Sequence, residues 1–569
     1  MFRACISRRR VGTLFAGVPA ILLAVSPVRV QAQHSLLPLP FADPAYVQLA
    51  SLERSGCVEA RVSPHRPYLV GAIRGALRAA SNDPFCAGDL LTALLLRFGD
   101  GTPPATGMSA DSLAAVAPDL ADAARRAADS ESQEARERLR AGAALTLRAT
   151  SLSKGDVRPL WTAVKDPADG DPPAVAILRA RASFENGERL LVLAEAYGET
   201  NARNDPHVRA RALRRTSGVV DFSEAFITAS AAKLVVSLGR GQDAWLGAGD
   251  ESLSLSAHGA PLDRLVASIA TRRFEARAIV ATLDAVVLDT TTDALPSGTP
   301  SQRFYRTLVG HALTWKPRPG IELTLGETAL LSRGSRTIDL DFANPVMIYV
   351  VTQNDAGRSE DNKDNLTAFG GLKVRVGALN LGGELLVDDI QIDGADRKVT
   401  PDQLAWRATV SGALPLVRPA SLQVEYRRVD SYTYLRDRYN EVYQQLGRPL
   451  GSELGPDADL IRGEAELWLR PSLRLSGGAG YWRHGVRSIS ERPSQRAMGN
   501  AGKPFPSVDI GRPAQRGLLG DVTLQLLSTH IPVTLRVESA RLQNVNNELA
   551  PAATFVRAQL MGTYAFRYP

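Results

Sequence analysis

Beyond residue 33 the chain has no apolar run of 18 or more residues. A membrane-spanning helix needs about 20 apolar residues in succession. Any membrane-spanning part must then be a closed barrel, where strands satisfy one another's backbone groups. Cysteine is scarce, with three in 569 residues. Cys5 lies ahead of the first apolar stretch, which is not where a lipoprotein cysteine sits. That leaves Cys57 and Cys86, which can pair in an exported chain or persist as two buried thiols. The histidines, His34, His65, His207, His258, His311, His484 and His530, are scattered. None falls in His-Glu-x-x-His or Cys/His zinc spacing, so no metal site is expected. Walker-type loops and Gly-x-Ser-x-Gly elbows are missing too. Ser256 and His258 are near neighbours without an acid partner pattern. Gly239, Gly241, Gly247 and Gly249 lack phosphate-loop spacing and read as relief of crowding in a wall or turn. We therefore expect no catalytic residues, no cofactor and no enzymatic activity.

Net charge is +7, but Arg3, Arg8, Arg9, Arg10 and Arg29 supply five charges with no acid among the first 32 residues. The remainder is near +2 (7 − 5), no electrostatic footprint for nucleic acid. Those first residues read as an export signal. Arg8 to Arg10 precede an apolar stretch from Val11 to Val25, and Val30-Gln31-Ala32 places small residues at the cleavage positions. The expected division is a signal peptide over 1–32, an α-helical periplasmic or plug domain over 33–165, and a barrel over 166–569. In the second part Ser63 is placed to cap a helix carrying Leu69, Val70, Ile73 and Leu77. Asp83-Pro84 opens another through Leu90 to Leu96, and the Ala/Arg/Glu-rich stretch 109–149 suits one or two more.

From about Ala174 the period changes to two. Ile321, Leu323 and Leu325 alternate with Glu322, Thr324 and Gly326, and Val533, Leu535 and Val537 alternate with Thr534, Arg536 and Glu538. One apolar and one polar face follow, as they would in a soluble sandwich. The connections discriminate. Tight turns at Pro317–Gly320, Gly377, Pro415–Pro419, Pro471-Ser472 and His530-Ile531-Pro532 alternate with long polar segments, a sorting characteristic of bacterial outer-membrane barrels. Asn186-Gly187 marks a further hairpin. About 18 strands are predicted, the first at 174–184 and one at 251–257. The fold class expected is mainly β, a transmembrane barrel of about 18 antiparallel strands with an N-terminal helical bundle or plug.

The most distinctive polar cluster lies in 430–459. Tyr432, Tyr434, Tyr439 and Tyr443 are interleaved with Arg436, Asp437 and Arg438. Aromatic faces with planar hydrogen-bonding groups suit sugar rings, which makes these residues candidate glycan ligands. An interfacial tyrosine belt is the plainer reading.

Four stretches stand out for their order and spacing. The first is 38–70, with Asp43-Pro44-Ala45-Tyr46, Gly56-Cys57 and Arg66-Pro67-Tyr68. The second runs from Gly239-Arg240 to Ser256, followed by Ala260-Pro261. The third is Asn344-Pro345. The fourth is 432–459, with Tyr443, Gly447, Leu450-Gly451 and Leu454-Gly455-Pro456-Asp457. Together they make the chain resemble the capsule assembly Wzi family of outer-membrane proteins. The resemblance implies an 18-stranded barrel closed on its periplasmic side by helices. It implies non-catalytic binding, attachment or organisation of capsular polysaccharide or exopolysaccharide at the cell surface. Outer-membrane lipid and the barrel-assembly machinery are the other implied partners. A porin or transport channel is the alternative.

Overall fold

The computed structural model describes residues 35–41, 43–57, 61–83, 85–86, 88–98, 137–152, 174–187, 189–200, 218–246, 251–288, 300–336, 339–353, 364–389, 402–416, 418–436, 438–491, 505–527 and 531–567. Residues 1–32, expected from the sequence to be an export signal, lie outside them. Their strands build one antiparallel barrel. In chain order these are β1 (Glu137–Leu152), β2 (Ala174–Asn186), β3 (Leu190–Thr200), β4 (Gly218–Ala231), β5 (Leu234–Gly241) and β6 (Leu262–Ala270). Then come β7 (Phe274–Thr282), β8 (Gln302–Arg318), β9 (Ile321–Arg333), β10 (Asn365–Val376), β11 (Leu379–Asp389) and β12 (Gln403–Ala413). The last six are β13 (Ala420–Val429), β14 (Ala458–Arg470), β15 (Leu473–His484), β16 (Gln515–Leu526), β17 (Val533–Gln543) and β18 (Ala553–Arg567). Each pairs with its sequence neighbour, and β1 closes the ring on β18, with Gly142 opposite Arg567 and Leu152 opposite Arg557.

Short turns and long connections alternate without exception between these strands. The tight turns sit at 187–189, 232–233, 271–273, 319–320, 377–378, 414–419, 471–472 and 527–532. Gly187 and Gly377 take positive φ at two of them, a conformation glycine adopts without a Cβ penalty.

The period-two pattern sorts side chains as the sequence implies. Leu178, Leu238, Leu325, Leu385, Val424 and Leu535 are exposed on the outside, and every strand contributes at least one such residue. Thr324, Glu384, Arg407 and Glu425 are buried on the inside. An apolar belt on the outside of a closed barrel is the surface a bilayer covers. Among the described residues no helix is long and apolar enough to span a membrane.

Two strand assignments change. Residues 137–152, expected to be helical, form β1, so the barrel begins some thirty residues before 166. Alanine and arginine favour a helix locally. Pairing to two neighbours overrides that preference, setting Leu139 and Leu147 outward and Arg148 and Thr150 inward. Conversely 251–257 is no wall strand. It belongs to the connection between β5 and β6 and folds into the lumen, where Leu253 and Leu255 are buried. One strand missed and one surplus leave the expected total intact.

The helical part is small: α1 (Ala45–Arg54), α2 (Val70–Ala80) and α3 (Asp89–Phe98). The sequence pattern did not single out α1. Ser63 does not cap α2, which starts after Leu69 without a side-chain cap. Its hydroxyl bonds Glu275 of β7 instead (2.7 Å). Leu49, Leu52, Ile73, Leu77, Leu90 and Leu94 form one buried cluster. Cys57 and Cys86 are joined in a disulfide beside it, with Cα atoms 4.6 Å apart.

Candidate functional site

The helices occupy the barrel at its short-turn end. Arg54 of α1 pairs with Glu466 of β14 (2.6 Å), which Arg474 also contacts (2.9 Å). The Trp468 indole N–H donates to Ser51 (2.7 Å), and the Asn380 amide donates to the Glu53 carbonyl (2.8 Å). Arg61 pairs with Glu322 (2.8 Å). The segment between α1 and α2 reaches deeper. His65 and Arg66 pair in a two-residue ladder with Trp245 and Ala244, and the His65 ring meets Trp245 edge-on at 5.6 Å. Burial, and then the nearby cations Arg277, Arg61 and Lys316, hold His65 well below its ordinary pKa. It is therefore neutral at physiological pH and acts as a packing group.

From the other end, two long connections turn inward. In 242–261, Asp243 grips Arg264 and Arg277 of the wall, and Trp245 is fully buried. In 430–457, Tyr434 and Tyr443 are each 0% exposed, their rings 5.8 Å apart and nearly parallel. The Tyr434 hydroxyl donates to the Leu253 carbonyl (2.6 Å) and accepts from the Ser452 N–H (3.1 Å). The Tyr443 hydroxyl bonds the Ser254 carbonyl (2.9 Å) and lies 3.0 Å from that of Thr328. The wall holds both segments. Glu384 accepts from Ser252 (2.8 Å) and the Leu253 N–H (2.7 Å), Arg427 pairs with Glu251 (2.5 Å), and Arg436 pairs with Asp388 (2.8 Å). An apolar cluster then runs around the inner face from Leu262 of β6 to Leu542 of β17. A cavity of about 960 Å³ remains beside these segments, running from α1, Glu464 and Arg474 at the short-turn end past Arg148 and Arg179 to Glu199, Asp221 and Gln242 at the long-connection end.

This placement corrects the glycan-ligand assignment for most of its residues. Tyr432, Tyr434, Tyr439 and Tyr443 are buried, so their rings build the plug and offer no open face to a sugar. Arg436 is spent on Asp388 and Asn365 (3.0 Å). Asp437 lies outside the described residues. Only Arg438 keeps substantial exposure, at 52% of its side chain, 4.0 Å from Glu441. The glycines signal the compactness: a Cβ on Gly451 would strike the Leu253 carbonyl and the Tyr434 hydroxyl, and Gly447 and Gly455 need positive φ.

A second aromatic and charged cluster was missed because its members are far apart in sequence. At the long-connection rim, Trp406, Tyr426, Arg428, Asp459 and Arg483 fall on adjacent outward positions of β12 to β15. Trp406 and Tyr426 lie 4.7 Å apart. Tyr426 donates to Asp459 (3.0 Å), as does the Arg483 Nε (3.0 Å), and Arg428 pairs with Asp430 (2.7 Å). Phe505, from the connection between β15 and β16, folds over them, with the Arg428 guanidinium 3.7 Å from its ring centre. Rings beside guanidinium and carboxylate groups are the combination that sugars require.

Fold and site together define an outer-membrane barrel with an occupied lumen and a polar, aromatic outer rim. A family model described as capsule assembly protein Wzi matches residues 176–547, and the chain belongs to that family. Among solved structures the chain is similar to one described as Wzi of Escherichia coli, an outer-membrane protein involved in group 1 capsule assembly and a carbohydrate-binding β-barrel. The TM-score is 0.56 at 14% identity, covering 93% of this chain and 99% of that one. OccD3 of Pseudomonas aeruginosa (TM-score 0.42, 11% identity, 75% and 92% covered) and OccAB4 of Acinetobacter baumannii (0.42, 9%, 77% and 99%) are also similar. No curated protein matches significantly.

Proposed function

We propose that this chain is a non-catalytic outer-membrane protein that binds capsular polysaccharide or a related exopolysaccharide and holds it at the cell surface. The observation that carries the reading is that much of the lumen is occupied, from Leu262 round to Leu542, with the remaining cavity confined to one side. The long-connection half of the barrel is occupied by two inward-folded segments hydrogen-bonded to the wall, which favours an adhesive surface over a conduit. Family membership and the carbohydrate binding ascribed to the Escherichia coli protein support the same reading. The surface we assign to the glycan is the rim made by Trp406, Tyr426, Arg428, Arg483 and Phe505, with Arg438 beyond it. A polysaccharide repeats its unit many times, so individually weak contacts sum through multivalency. The export signal ending at Ala32 would direct the chain to the periplasm with the helices on that side, and the barrel-assembly machinery would insert it among outer-membrane lipids.

Cosedimentation of the purified protein with polysaccharide from its own cells tests this. Replacing Arg428, Arg483 and Phe505 together by Ala should weaken binding at least tenfold while heat-modifiable gel migration still reports a folded barrel. Unchanged binding by the folded triple variant would remove the rim from the site.

A further inference from the structure

The connection between β9 and β10 behaves unlike the two that fold inward. It carries two short helices, α4 (Leu340–Ala343) and α5 (Tyr349–Gln353). Phe342 and Tyr349 are buried in a cluster with Val309, Ala329, Leu331 and Leu366. Those four alternate with Leu308 and Leu330, which belong to the lumen cluster, and so face the outside. The segment therefore lies against the external wall.

Beneath it is a polar interruption of the lipid-facing belt. His311 and Glu327 are directly opposed across β8 and β9, and the next outward pair along the strands is Leu313 and Leu325, both exposed. That places ionisable side chains about 7 Å from the belt at strand spacing, where a bilayer penalises uncovered charge. The segment covers them. The Tyr349 N–H donates to Glu327 (2.7 Å), and the Tyr349 ring meets that of His311 at 4.6 Å. The cover itself is apolar on its free side: Val346, Ile348 and Val351 are 85%, 56% and 61% exposed. From Phe342 to Gln353 it carries no charged residue. Charge returns at its roots, where Arg333 pairs with Asp364 (2.9 Å) and Asp339 (3.6 Å).

We propose that residues 342–353 form a lipid-seated cover, in which Val346, Ile348 and Val351 contact the acyl chains of the outer leaflet. The surface is continuous: the segment replaces a stretch of barrel wall whose own side chains are polar, beside a belt that is already lipid-facing. Its charged roots mark the headgroup level, and its uncharged middle dips below it. The external loop thus acts as a membrane anchor that fixes how the rim is presented above the bilayer.

Spin labels on single cysteines at Val346, Ile348 and Val351, with the full-length protein in liposomes, test the proposal. Leu325→Cys serves as the lipid reference and Arg438→Cys as the aqueous one. Collision with dissolved oxygen should exceed collision with a water-soluble nickel chelate at all three sites, as at Leu325. Nickel accessibility matching Arg438 would overturn the proposal. So would exclusion of both reagents with spin–spin broadening between molecules, which would assign the patch to a second copy. Wild-type heat-modifiable migration confirms that each labelled barrel is folded.

Discussion

At the residue scale, the inward segments depend on hydrogen bonds that only a few side chains can make. Burial raises the Tyr434 hydroxyl well above its ordinary pKa, so it remains protonated and donates to Leu253. Tyr434→Phe leaves the Ser452 N–H without its acceptor, which typically costs about 1–3 kcal/mol for a buried group. Amide exchange across 430–457 should accelerate by about tenfold or more, while exchange in the strands stays unchanged. Glu453 carries a pH dependence. Burial, and next the neighbouring Glu251 carboxylate, push it up to about 8. The folded state thus favours the protonated acid. The resulting stability is fully present below the ordinary glutamate pKa, about 4.3, and is lost as pH rises through about 8. Protease resistance of 430–457 should therefore decline between pH 5 and pH 9. In Glu453→Gln that decline should flatten; an undiminished pH profile in this variant would assign the titration elsewhere.

At the element scale, the disulfide and β1 show how local signals interact with tertiary context. The 29-residue separation of Cys57 and Cys86 corresponds to about 3.5 kcal/mol of chain-entropy stabilisation. Cys57→Ser with Cys86→Ser should lower the unfolding free energy of the helical cluster by about that amount. The barrel should still migrate as folded, because its closure runs through β1 and β18. Most wall strands were legible because alternation such as Ile321-Glu322-Leu323-Thr324-Leu325 has a single cause: lipid on one side and polar lumen on the other. β1 was not legible, because alanine on both faces blurs the period in Arg140–Ala149 and its composition suits a helix. The inward folding of 242–246, 251–261, 430–436 and 438–457 was hidden for another reason. Their partners, Glu384, Asp388, Asn365 and Arg427, lie on distant strands. The tyrosines of 432–443 looked like sugar ligands because a buried tyrosine in a polar plug and an exposed one on a binding face need the same chemistry, a ring with a hydrogen-bonding tip.

At the scale of the whole molecule, the barrel is a scaffold narrowed from both ends: helices at the short-turn end, re-entrant segments at the other, with a cavity left along one side. The intact protein should pass little current in planar bilayers. Removing 432–455 should raise conductance, because it takes away Tyr434, Tyr443 and the apolar contacts around them. High conductance in the intact chain would favour transport. The central claim, that this barrel retains polysaccharide at its outer rim, is tested most directly in cells by the ratio of cell-bound to released polysaccharide. The comparison is between a strain carrying Arg428→Ala, Arg483→Ala and Phe505→Ala together, its parent, and a strain lacking the gene. The account predicts that the triple variant, folded and present at parental level in the outer membrane, releases polysaccharide to the extent of the deletion strain. Retention at the parental level by that folded variant, or equal retention in parent and deletion strain, would contradict it.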